Sequence, residues 1–90
     1  MRFCAIRCGR TAGVQRYIWS ALAVFPSLPE EKKKAVRATI EGVAESAEEG
    51  RALYDILVRQ KELTAAAAAA HIPARRLSKL RAEFYERVPL

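Results

Sequence analysis

The sequence predicts an all-α protein of about five short helices. Apolar residues recur at three- and four-residue spacing from Val14 to Val88, the signature of helices with one buried face. Six consecutive alanines, Ala65 to Ala70, form the strongest local helix signal in the chain, because alanine loses least on entering a helix. Boundaries fall where prolines and capping residues put them, and no segment alternates polar and apolar residues as a strand does. Ninety residues and 10.0 kDa allow one compact domain, since so short a chain buries only about 60% of its unfolded surface. Residues 1–10 are expected to be frayed or extended, 11–45 to hold the N-terminal helices, and 46–90 to form a C-terminal three-helix unit.

The first helix is expected after Gly13, with Val14, Ile18, Ala21, Leu22 and Phe25 on one face. Residues 1–29 carry Arg2, Arg7, Arg10 and Arg16 with no acidic residue, so a cleaved targeting segment of about 25 residues is the rival reading of that helix. Pro26 and Pro29 bracket a loop. Ser27 and Glu30 have the spacing of a capping box that starts a second helix, with Val36, Ile40, Val43 and Ala44 inward and Lys32, Lys33, Lys34 and Arg37 on a solvated face. Ser46 and Glu49 repeat that spacing, so a third helix begins near Ala47, turns Leu53, Ile56 and Leu57 inward, and ends near Gln60. Thr64 is a possible cap for the alanine helix, which stops at Ile72-Pro73 because the proline ring disfavours helix at the preceding residue. Pro73 suits the first turn of a last helix with Leu77, Leu80, Phe84 and Val88 beneath it.

Sixteen Lys and Arg against ten Asp and Glu leave a net charge of +6. Both ends of the chain are basic and its middle is balanced, a distribution that favours polyanionic partners through steering and counterion release. Two cysteines, Cys4 and Cys8, cannot build a disulfide framework, so a reduced, cytoplasmic setting is expected. With His71 as the sole histidine they do not complete a closed zinc site, and no metal or cofactor is expected. No nucleophile stands beside a matched base and no glycine-rich phosphate loop occurs, so an enzyme is not expected. Nor does any apolar run approach the roughly 20 residues that cross a bilayer, so no membrane partner is expected.

Two helices joined by about three residues, the second of them basic, have the spacing of a helix-turn-helix. Ala66, Ala67 and Ala70 supply the small surface where such helices cross, Ile72 anchors the turn, and Leu77 and Leu80 pin the last helix from below. That leaves Ala74, Arg75, Ser78 and Lys79 facing outward on its leading half, with Arg76 and Arg81 beside them. Arg75 and Lys79 are the base-reading candidates, since arginine and lysine both bond guanine in the major groove, and Arg76 and Arg81 are the phosphate-positioning candidates.

The run LYDILVRQ (53–60) followed by AAAAAAHIPARRLSKLRAEFYERV (65–88) resembles the terminal helix-turn-helix of sigma factor region four and of related small phage late-gene regulators. The resemblance covers about 35 of the 90 residues. It implies a support helix around residues 53–60, a scaffold helix of alanines, and a recognition helix beginning at Pro73 or Ala74. His71 stands where the family has glycine, which asks that residue to adopt a left-handed conformation. Pro73 replaces the small hydroxyl cap. The expected function is a DNA-binding transcriptional regulator. It would act on double-stranded DNA as a homodimer or through recruitment by RNA polymerase, with Tyr17, Trp19 and Phe25 as association residues. The alternative is a small helical inhibitor or adaptor that docks the same basic helix on an acidic protein surface.

Overall fold

A computed structural model describes residues 5–90. Arg2, Cys4 and the expectation of a frayed start over residues 1–4 lie outside the described residues. The architecture is all-α, with five helices and no strand among the described residues: α1 (Ala12–Ala23), α2 (Glu30–Val43), α3 (Ala47–Leu57), α4 (Leu63–Ala69) and α5 (Ala74–Arg87). One hydrophobic core draws on all five and is continuous across the boundary expected near residue 45. α5 packs against α2, α3 and α4, so the second helix lies on the last one as well as on α3.

Thr11 caps α1 by accepting the Val14 N–H at 3.3 Å. Ile18 and Leu22 are buried, and Phe25 follows them inward from the single 3-10 turn Phe25–Ser27. Val14, expected inward, is 41% exposed, and Gln15 occupies the inner face in its place. The physical reason is the segment that precedes the helix. Gln15 Oε1 accepts the Ile6 N–H at 2.8 Å, and its Nε2 donates to the Ile6 and Arg10 carbonyls, so one buried amide satisfies backbone that a valine would leave unpaired. Residues 6–10, which bend from residue 7 to 10, are accordingly tied down: the Gly9 N–H also donates to Glu86 Oε1 and Arg10 Nη1 to the Val88 carbonyl, both at 2.8 Å.

The two capping boxes fare differently. Ser46 and Glu49 realise theirs, with the Glu49 N–H on Ser46 Oγ at 3.2 Å and the Glu49 carboxylate reaching back to the Glu45 N–H at 2.9 Å. Ser27 does not cap α2; it is consumed in the 3-10 turn, and Pro29 stands at the cap with no side-chain bond. Glu30 and Glu31 in the first turn compensate through the helix dipole, and Val36, Ile40 and Val43 are buried as expected. Likewise Glu62, not Thr64, precedes α4, and the Thr64 hydroxyl donates to the Glu62 carboxylate.

Ala66, Ala67 and Ala70 are buried and let α4 approach its neighbours closely. Leu77, Leu80, Phe84 and Val88 are all at 0% exposure, the deepest stripe in the molecule. Tyr85 is buried beside them.

Candidate nucleic-acid interface

The candidate site is built on the turn between α4 and α5. The His71 N–H donates to the Ala68 carbonyl at 3.2 Å and the Ile72 N–H to the Ala67 carbonyl at 3.0 Å. This pair of bonds is a Schellman ending, which requires a left-handed residue at its first position beyond the cap. That residue is His71, with φ of 59°, the conformation that the resemblance asked of it. Ile72 then packs half-buried against the core, and Pro73, whose φ of −63° suits a helix start, precedes α5. Helix termination and helix start are thus fixed within four residues.

On the leading half of α5, Leu77 and Leu80 face inward, while Arg75 and Lys79 are exposed one turn apart with the half-buried Ala74 and Ser78 beside them. Neither Arg75 nor Lys79 has a hydrogen bond or ion pair among the described residues. A shallow depression lined by Pro73, Ala74, Arg75, Arg76 and Lys79 opens on this face. Along the same outward line the charge then reverses at Glu83 and Glu86, so the positive surface is confined to the leading half.

The two phosphate-positioning candidates are placed otherwise. Arg76 is committed to carboxylates: its Nε donates to Glu49 Oε2 at 2.9 Å, its Nη2 to Glu49 Oε1 at 3.3 Å, and Nη2 lies 3.2 Å from Glu45 Oε2. This forked contact fastens the start of α5 to the start of α3, and it removes Arg76 from the groups offered to a phosphate. Arg81 is half-buried on the inner flank, because it falls four residues after buried Leu77 and four before buried Tyr85. Its Nε is buried with no hydrogen-bond partner. Sequence reasoning missed both placements. For Arg81 the signal was present in that spacing, whereas for Arg76 the partner lies 27 residues away and no local pattern marks it.

The Arg76 hydrogen bond, followed by the Glu45 N–H, holds the Glu49 carboxyl below its ordinary value, and the same bond to Glu49 raises the Arg76 guanidinium further above any accessible pH. A carboxyl whose folded pKa is depressed stabilises the fold fully above its unfolded pKa and loses that contribution as pH falls through the folded one. Stability is therefore expected to decline as the solution is taken from about pH 5 downward, and Glu49→Gln is expected to flatten this part of the profile. Thermal melts of both proteins across that range check it; parallel profiles would show that the pair contributes nothing.

Among the association residues, Tyr17 is 51% exposed and accepts a bond from Lys32 Nζ at 3.3 Å. Phe25 is not available to a partner: it is 4% exposed and meets Tyr54 edge-on. Trp19 is half-buried. Among the described residues no group of three or more His, Cys, Asp or Glu side chains is placed to hold a metal, and Cys8 is a half-buried free thiol. No helix among them is long and apolar enough to cross a membrane. No protein-family model, curated protein or solved structure matches the chain significantly. The fold and the site together define a small all-helical protein with an unneutralised cationic pair on the leading half of its last helix.

Proposed function

We propose that α4 and α5 act as a helix-turn-helix, that α5 enters the major groove of double-stranded DNA, and that the protein is a transcriptional regulator. The observation that carries this reading is the pair Arg75 and Lys79, exposed, unpaired and one turn apart on the leading half of a helix whose far side is held by Leu77 and Leu80. Ala74 and Ser78 are small enough to let the helix backbone approach the base edges. With Arg76 and Arg81 withdrawn, the cationic footprint of the leading half of α5 reduces to two residues. Affinity for random duplex is then expected to fall about tenfold between about 50 and 200 mM salt, the change that releasing counterions from two phosphates gives. Fluorescence anisotropy of a labelled random duplex measures it. Absence of binding at about 50 mM salt would refute the reading. One recognition helix gives a small contact, so the bound form is a homodimer or a complex with RNA polymerase.

A second reading, a protein-interaction module, is favoured by a different face. The exposed large hydrophobics Val14, Tyr17 and Val24 all lie on α1 or at its end, on one side. Tight association with a protein, combined with no DNA binding, is its expected result.

A further inference from the structure

A cleft of about 450 Å³ opens between α1, α3 and α5, beside the connection that leads into α4. Its walls are apolar and aromatic, formed by Trp19, Leu22, Leu57, Leu63 and Tyr85. Its charged and amide groups are Arg81, Gln60, Lys61 and Glu62, and of these Arg81 is half-buried and has no hydrogen-bond or ion-pair partner among the described residues. A half-buried guanidinium without a partner carries a desolvation cost that a bound acceptor recovers. Arg81 has no carboxylate partner among the described residues, unlike Arg76. Lys61 and Glu62 at the rim offset one another in charge.

We infer that this cleft is a binding site for a small amphipathic carboxylate, whose acid group meets the Arg81 guanidinium and whose apolar body lies along Trp19, Leu22, Leu57, Leu63 and Tyr85. A guanidinium presents parallel N–H groups that match two carboxylate oxygens. One half-buried guanidinium above apolar walls, with Lys61 and Glu62 offsetting one another, suits a monoanion with a hydrocarbon body. The volume accommodates a ligand of about a dozen non-hydrogen atoms. Because the walls come from three helices and the Gln60–Leu63 connection, an occupant braces α5 from the side opposite its exposed cations. This inference stands apart from the DNA-binding reading, since none of its residues is needed for groove contact.

Trp19 is the only tryptophan of the chain, so its emission reports occupancy directly. The probe is 4-phenylbutyrate, with the neutral 4-phenylbutyramide as its isosteric control. The acid is expected to give a saturable change with a dissociation constant in the high-micromolar to low-millimolar range, as a ligand of that size allows, and the amide to bind about tenfold or more weakly. Arg81→Gln is expected to lower the affinity for the acid about tenfold and to bring acid and amide together, with far-UV circular dichroism confirming the fold. Equal affinities of wild type for acid and amide, no saturation up to about 10 mM, or undiminished acid binding by Arg81→Gln each overturns the proposal. Should Arg81→Gln fail to fold, the wild-type comparison of acid with amide decides alone.

Discussion

Leu80→Ala is expected to lower the free energy of unfolding by about 2–5 kcal/mol, toward the upper end of that span. Leu80 is at 0% exposure in the middle of α5, the helix that packs on three others. Its loss removes the transfer energy of the deleted carbons and leaves a cavity, and the size of the second contribution depends on how far the surroundings can collapse. On the α4 side collapse is limited, because the buried Ala66 and Ala67 and the cap Ala70 have no rotamer that reaches into a void. A 90-residue domain holds only a few kcal/mol in reserve, so the variant is expected to be partly unfolded at room temperature. Urea titration followed by far-UV circular dichroism measures the shift. A midpoint equal to that of the wild type would show that Leu80 makes no net contribution to the core.

What the sequence reveals of this molecule depends on whether the cause of a feature is local. The α5 stripe is legible because helical geometry alone puts Leu77, Leu80, Phe84 and Val88 on one side. The left-handed His71 is legible only through the resemblance, which puts a glycine of the family at that place in the turn. The capping boxes mark the limit of such reasoning. Ser46 and Ser27 are each followed three residues later by glutamate, yet only Ser46 is preceded by chain free to place it in extended conformation, whereas Ser27 closes the turn that follows Phe25. Non-local causes are not legible. Gln15 displaces Val14 from the inner face because residues 6–10 run alongside α1, and Arg76 is paired with a carboxylate because folding brings Glu49 to it. The cleft at Arg81 needs four segments of chain to exist at all. Consequently Arg75 and Lys79 stand exposed and unpaired among the described residues, whereas Arg76 is tied to Glu49 and Arg81 is half-buried.

That division sets the sharpest contrast among single variants. Arg75→Ala is expected to weaken binding to a duplex selected from a random pool by about 1–3 kcal/mol, roughly five- to 150-fold, and to weaken binding to random duplex less. Its side chain is exposed and makes no intramolecular bond among the described residues, so the melting temperature is expected to stay within about a degree or two of wild type. Arg76→Ala is expected to do the reverse. It leaves the Glu49 carboxylate with the Glu45 N–H as its remaining partner and releases the start of α5 from the start of α3, lowering the melting temperature, while DNA affinity measured well below that temperature stays near wild type. Anisotropy titrations and thermal melts on the same two preparations separate the effects. If Arg76→Ala weakens DNA binding as strongly as Arg75→Ala and melts like wild type, its guanidinium exchanges Glu49 for a phosphate in the complex, and the ion pair is a resting position, not a structural tie.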